Sequence, residues 1–270
     1  MCAARWADLM QLPPNMVAAL AAEAAEVLRP AAASPLLLLC EHAGARVPAP
    51  WGGLGLPPAL LDTHYAYDPG VDGLTRVLSA RLEAPAVLAR YSRIFLDYNR
   101  FPEDWDHIRP DLGGIPVPAN LRISAAERTL RRAIAATPLD QAIRPLLPGR
   151  RAVVSVHSFT PVMAGDHRAV DIGVLWRQDS GFVRAVLAAL HGRAAGLGLR
   201  IGDNAPYDWR RVVAYSLQAH ALDRGLPCFY LEVNNALFSD PATSETIATL
   251  IADVLAAALS ALPDAGREPR

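Results

Sequence analysis

Pro35-Leu-Leu-Leu-Leu-Cys40, bounded by Ser34 and followed at once by Glu41-His42-Ala43-Gly44, is a short continuous apolar run with charge at its carboxyl end. Such a run suits a strand buried on both faces, as in parallel sheets covered by helices on either side. The pattern recurs along the chain. A helical stripe from Val71 to Leu82 leads to Ala86–Arg90 and Ile94–Leu96, which read as strands. Ala152–Val156 reads as a buried strand ending at His157, and Val170–Trp176 as another, followed by a helix from Gly181 to Ala195. Leu199–Ile201 leads through Gly202-Asp-Asn-Ala-Pro-Tyr207 to a helical Tyr215–Arg224. Cys228–Leu231 then reads as a strand ending at Glu232, before a closing helix from Ser244 to Leu262. This alternation predicts an α/β fold, a three-layer sandwich with a mainly parallel, mixed central sheet flanked by helices.

Around that frame, Met16–Leu28 is Ala-rich with Glu23 and Glu26 on one side, and predicts a helix within an N-terminal helical extension over residues 1–30. Asn99–Arg122 holds four prolines and Gly113-Gly114 without periodicity, and reads as a Pro-rich loop over 99–122 that either works at a site or covers one. Ser124-Ala-Ala-Glu127 matches a capping box opening a helix of about twenty residues that stops near Pro145 or Pro148. Without internal repeats or a low-complexity linker, residues 1–270 read as one domain.

Composition narrows the chemistry. All 26 basic residues are Arg, which excludes Schiff-base chemistry, a pyridoxal phosphate anchor and a P-loop lysine. A net charge of -1 gives no electrostatic case for nucleic acid or an anionic membrane, so a small molecule is the expected partner. Cys2, Cys40 and Cys228 form no CxxC pair, and the N-terminal stretch lacks the apolar core of a signal peptide; the reading is cytoplasmic. Cys40 and Cys228 lie in apolar strands where burial silences a thiol, and the chain has no G-x-S-x-G elbow for a serine hydrolase.

Three polar clusters fall at the carboxyl ends of expected strands: Glu41-His42, His157-Ser158 and Glu232. Ligands bind at that edge in open α/β sheets. A fourth cluster, His64-Tyr-Ala-Tyr-Asp68-Pro-Gly70, sits just before a helix. Two imidazoles and two carboxylates on one edge suggest a catalytic metal with three protein ligands and a second carboxylate as base. The alternative is that His42 and His157 hydrogen-bond to loops and Asp68 caps the next helix. Of the other histidines, His191 reads as a surface residue, His107 as solvated and His220 as a half-buried hydrogen-bonded one, while His64 and His167 are ambiguous. Arg93, Arg100 and Arg168 lie near these clusters; each either reads a substrate carboxylate or pairs internally, Arg93 or Arg100 with Asp97.

Taken in order, Cys40-Glu-His42-Ala-Gly44, Asp68-Pro-Gly70-Val-Asp72, Tyr91-Ser-Arg93 with Asp97 and Asn99-Arg100, His157-Ser-Phe-Thr-Pro161, Asn204-Ala-Pro-Tyr207 and Leu231-Glu232 resemble the N-formylglutamate amidohydrolase family over residues 35 to 260. The resemblance implies a zinc-dependent exopeptidase-like fold, akin to that of peptidoglycan N-acetylmuramoyl-L-alanine amidases. It implies His42, Asp68 and His157 as ligands of a divalent metal, zinc first, with Glu232 as general base. The implied substrate is a small N-acyl amino acid such as N-formylglutamate, bound by residues drawn from Arg93, Arg100, Arg168, Asn204 and Tyr207. In one respect the chain departs from the family, whose members commonly carry an Arg two residues after the Glu and an Asp two further; here these are Asn234 and Ala236. A peptidoglycan amidase-like hydrolase and a non-catalytic small-molecule-binding homologue are the alternatives.

Overall fold

The computed structural model describes residues 12–163, 165–212 and 214–262. Seven strands form one sheet: β1 (Ala25–Leu28), β2 (Leu36–Cys40), β3 (Ala86–Ala89), β4 (Ala152–Phe159), β5 (Ile172–Leu175), β6 (Ile201–Asp203) and β7 (Cys228–Asn234), in the order β1-β3-β2-β4-β7-β5-β6. Strands β3, β2, β4 and β7 run parallel; β1 is antiparallel to β3 and β5 to β7, and β6 follows β5. The sheet is therefore mixed about a parallel centre, and its four apolar central strands are buried along their whole length.

Side chains alternate between two cores. Leu36, Leu38, Val154, Val156, Phe229 and Leu231 face one side, covered by α2 (Val71–Arg81), α5 (Gly181–Ala194) and α7 (Pro241–Ser260). Leu37, Leu39, Val153 and Tyr230 face the other, where α1 (Pro14–Ala22), α3 (Ala125–Ile134), α4 (Ala136–Ile143), α6 (Ser216–His220) and the 91–120 segment pack. By length and composition α7 is apolar enough to cross a membrane, yet its Ile247, Ile251, Val254 and Leu255 are buried in the first core.

Several expectations need correction. The predicted Met16–Leu28 helix ends at Ala22, and Ala25–Leu28 joins the sheet as β1, whose edge position satisfies its backbone against β3; residues 1–11 of the expected extension lie outside the described residues. The expected twenty-residue helix is two, α3 and α4, broken at Ala135. Pro138 has no N–H to give Ile134, and its ring crowds that carbonyl. Ser124 does cap α3, its Oγ accepting from Glu127 N at 3.1 Å, but Glu127 turns its carboxylate to Trp51 and Arg131 and does not close the box. Ile94–Leu96 is a buried turn and no strand, its carbonyls at Ile94 and Phe95 taken by Asn120 and Arg131. The expected helix over Tyr215–Arg224 is α6 followed by a 3-10 turn. The 99–122 segment holds a two-stranded ribbon, Asp111–Leu112 with Ile115–Pro116, and a 3-10 turn over Pro118–Asn120.

Candidate active site

Register assembles the site. Leu39 pairs with Ser155 and Ser155 with Tyr230; two residues on, His157 pairs with Glu232. With a side-chain period of two, His157 and Glu232 stand side by side on the face carrying Leu39 and Tyr230. Both lie inside their strands, which continue to Phe159 and Asn234, and not just beyond them as the sequence suggested. His42 follows β2. Asp68 comes from a turn tied to the same edge: Asp68 N donates to His42 O at 2.9 Å, and Ala66 O accepts from Arg93 N at 3.1 Å and Ser92 Oγ at 2.8 Å. Gly70, with φ of 86° and Phe238 packed where a Cβ would stand, swings the chain into α2. Gly70 occupies the N-cap position, so Asp68 is not a helix cap.

His42, Asp68 and His157 converge. Their candidate ligand atoms lie within 4.8 Å of one another: His157 Nδ1 is 2.9 Å and His42 Nδ1 3.5 Å from Asp68 Oδ2. A tetrahedral ion with bonds of about 2.0–2.1 Å keeps its ligands about 3.4 Å apart, so small shifts bring these three into range. All three side chains are buried, and His42 Nδ1 has no hydrogen-bond partner among the described residues. A buried orphan nitrogen beside a carboxylate and a second imidazole is a donor set suited to a divalent cation.

Two further carboxylates hold the outer ring nitrogens. His42 Nε2 lies 2.8 Å from Asp97 Oδ1, and His157 Nε2 3.1 Å from Glu41 Oε2, to which Ser155 Oγ also donates. An outer carboxylate fixes the tautomer and turns the inner nitrogen toward a cation. Arg93 completes the arrangement, donating to Asp97 Oδ2 from Nη2 at 2.7 Å and from Nε at 3.1 Å, and to Asp68 Oδ1 from Nη1 at 3.4 Å. Burial by itself would raise the carboxyl pKa values of Glu41, Asp68 and Asp97, but the adjoining histidines and, at Asp97, Arg93 outweigh it and hold all three down. At His157 burial opposes protonation, and the Asp68 and Glu41 carboxylates overcome it, pushing the imidazole up to about 10.

Glu232 differs from these. It is 8% exposed, its Oε2 has no hydrogen-bond partner among the described residues, and burial raises its carboxyl to about 7. A buried carboxyl with an unbonded oxygen, and with its pKa raised toward neutrality, has the chemistry of a group that can take and return a proton.

The remaining candidates divide. Arg93 is committed to the site's own carboxylates, and Arg100 donates to Asp106 Oδ2 at 2.8 Å and to Asn99 O, so both have partners within the fold. Arg168 has no carboxylate partner among the described residues; its guanidinium lies over the rings of Tyr207 at 4.7 Å and Phe159 at 5.6 Å. Asn204 uses its side-chain oxygen on Trp176 N at 2.9 Å and so holds the loop that carries Tyr207. Asn234, at the position of the family departure, caps a 3-10 turn through Ala236 N at 3.1 Å and donates to Val170 O.

Sequence reasoning missed the orienting roles of Glu41 and Asp97. The Glu-His pair at the strand end was the only local signal for the first; the second bridges 55 residues and leaves none. His107, expected in solvent, is buried against Asp97, with its Nδ1 3.1 Å from Asp97 O and its own carbonyl accepting from Asp97 N. His220, expected half-buried, is fully covered and bonded to Asp140 Oδ1 at 2.8 Å. His191 is exposed.

Comparison with known proteins bears on this geometry. The family described as FGase, N-formylglutamate amidohydrolase, matches residues 34–239. Among solved structures, gene product Atu2144 from Agrobacterium tumefaciens is 34% identical with a TM-score of 0.83, over 88% of this chain and 95% of that one. A bacteriophage poly-gamma-glutamate hydrolase (10% identity, TM-score 0.43, 88% of each chain) and the N-acetylmuramoyl-L-alanine amidase AmiC2 of Nostoc punctiforme (15%, 0.39, 83% of this chain and 97% of that one) are likenesses too distant to bear on function. No curated protein matches the sequence significantly.

Proposed function

The chain belongs to the N-formylglutamate amidohydrolase family, and on that premise we propose that it hydrolyses the amide of a small N-acyl amino acid of the N-formylglutamate type. His42, Asp68 and His157 would hold a divalent cation, zinc by the nature of two imidazoles and a carboxylate. Such a cation supplies Lewis-acid polarisation of the scissile carbonyl and acidifies water at the site. Glu232 takes the proton of the attacking water on its free Oε2 and returns it to the departing amine nitrogen. Glu41 and Asp97 keep the two imidazoles aimed, and Arg93 keeps Asp97 ionised while also reaching Asp68. Arg168, flanked by Phe159 and Tyr207, offers a planar fork to the substrate carboxylate.

The observation that carries this reading is the buried His42–Asp68–His157 donor set with Glu232 beside it, its Oε2 unbonded among the described residues and His157 its register partner. The test is formate or acetate release from a panel of N-formyl and N-acetyl amino acids, by zinc-loaded and by chelator-treated protein. Turnover that disappears with the metal and returns with zinc supports the reading. Turnover indifferent to the metal, or His42→Ala and His157→Ala proteins that retain stoichiometric zinc, would overturn it.

A further inference from the structure

Two glycines face each other beside Glu232. Gly173 in β5 is the antiparallel register partner of Glu232, and Gly202 in β6 is the parallel partner of Gly173. Leu175, two residues from Gly173, lies in the same core as Tyr230, so both glycines belong to the face that carries the site. On that face the sheet therefore has bare backbone where every neighbouring strand has a side chain.

The Asn204–Tyr207 segment occupies the space. Ala205 O lies 2.2 Å from the place a Cβ on Gly173 would take, and 2.5 Å from that of a Cβ on Gly202. Neither distance is compatible with a methyl group, and the obstructing atom is backbone, which cannot rotate aside. Asn204 pins the start of the segment, with N donating to Val174 O at 3.0 Å and Oδ1 accepting from Trp176 N. Tyr207, two residues beyond Ala205, then reaches the Arg168 guanidinium. The Glu232 carboxylate stands near enough to add to the burial that raises the Tyr207 phenol.

We propose that Gly173 and Gly202 are positioning residues, a side-chain-free floor that lets the Ala205–Tyr207 strap lie flat on the sheet and seats Tyr207 on Arg168 beside Glu232. The strap is then one wall of the substrate pocket, and a methyl group on the floor meets the Ala205 carbonyl before any other atom and lifts that wall. Its catalytic meaning rests on the function proposed above; its geometry does not.

The experiment uses zinc-loaded Gly173→Ala and Gly202→Ala proteins, with Gly192→Ala as control, since Gly192 lies in α5 with open space around it. The first readout needs no ligand: the rate at which phenylglyoxal modifies Arg168, followed by mass spectrometry. The second is the Kd for N-formyl-L-glutamate, measured by calorimetry in a Glu232→Gln background that cannot turn it over. Each floor variant is expected to speed Arg168 modification several-fold and to weaken binding about tenfold, with zinc content unchanged and Gly192→Ala like the parent. Adding Tyr207→Ala to Gly173→Ala is expected to cost nothing more, because the glycine acts through Tyr207; a purely structural role would make the two losses add. A folded, zinc-replete Gly173→Ala protein with parental Arg168 reactivity and affinity overturns the proposal. Should Gly173→Ala fail to fold, Gly202→Ala at the sheet edge carries the same readings. A parent that neither binds nor hydrolyses any N-acyl amino acid defeats the proposed function, and Arg168 reactivity still decides the floor.

Discussion

Asp97 and His42, 55 residues apart, share a 2.8 Å hydrogen bond between Oδ1 and Nε2 in which both side chains are buried. The bond fixes the proton on the outer nitrogen and leaves Nδ1, which has no hydrogen-bond partner among the described residues, facing Asp68. Asp97→Asn keeps an acceptor there but removes its charge, and frees Arg93 from its strongest partner. Zinc affinity is expected to fall about 10- to 100-fold, read by competition with a chromogenic chelator. Unchanged affinity would mean that His42 is held by packing alone.

The role proposed for Glu232 is that of base and not of ligand. Glu232→Gln should therefore retain bound zinc while turnover falls by a factor on the order of 10² or more. Asp68→Asn should do the reverse and lose zinc occupancy, an amide oxygen being a poorer ligand than a carboxylate. Zinc analysis beside rate measurement separates the two, and loss of metal from Glu232→Gln would move that residue into the coordination sphere.

How much of this was legible in the sequence follows from the range of the forces involved. The central strands announce themselves as apolar runs, and polar residues at their carboxyl ends mark the edge where His42, Asp68, His157 and Glu232 meet. β1 was hidden because Ala-rich sequence favours helix locally, and only the antiparallel partner β3 makes a strand of it. Ile94–Leu96 looks like a strand because it is apolar, but the atoms that bend it belong to Asn120 and Arg131. The burial of His107 and the service of Asp97 to His42 depend likewise on contacts that no local pattern encodes. The Gly173–Gly202 floor needs the register of three strands before either glycine means anything.

In metal-free protein the His157 imidazole is pushed up to about 10, burial opposing and the Asp68 and Glu41 carboxylates prevailing; unfolded, it returns to about 6.5. With the folded value raised, its contribution to stability is fully present below about pH 6.5 and is lost as pH climbs through 10. Metal-free protein should therefore lose stability to urea across that window. Zinc needs the neutral ring, so binding near pH 8 should release about one proton per metal, seen as heats that differ between buffers of different ionisation enthalpy. Identical heats in all buffers would show His157 already neutral.

Arg131 is wholly buried and satisfied by Glu127, Asn120 Oδ1 and the carbonyls of Phe95 and Ala119, with Trp51 and Phe95 against its guanidinium. Glu127→Ala strands that charge and should cost about 3–5 kcal/mol in urea denaturation, whereas Glu127→Gln, which keeps an acceptor, should cost less. A loss below about 1 kcal/mol for the alanine variant would show that water replaces the carboxylate.

Arg93 is held by Asp97 and Asp68 and Arg100 by Asp106, while Arg168 lies over Phe159 and Tyr207 without an acidic partner among the described residues. Among the described residues its side chain donates from Nη1 to Thr160 O at 3.4 Å and from Nη2 to Met163 Sδ, and hydrogen-bonds with the Tyr207 phenol, so its partners there are neutral. The fork thus has no anionic partner of its own among the described residues, and its stacking keeps the plane in one orientation. Lysine keeps the charge but loses both the fork and the stacking. Arg168→Lys is expected to lower kcat/KM about 10- to 100-fold for N-acyl amino acids bearing a free carboxylate and to leave the corresponding amides nearly unchanged. An equal fall for acids and amides would reassign Arg168 to holding the Tyr207 strap in place, because a wall defect penalises both substrates alike whereas loss of a carboxylate fork penalises only one.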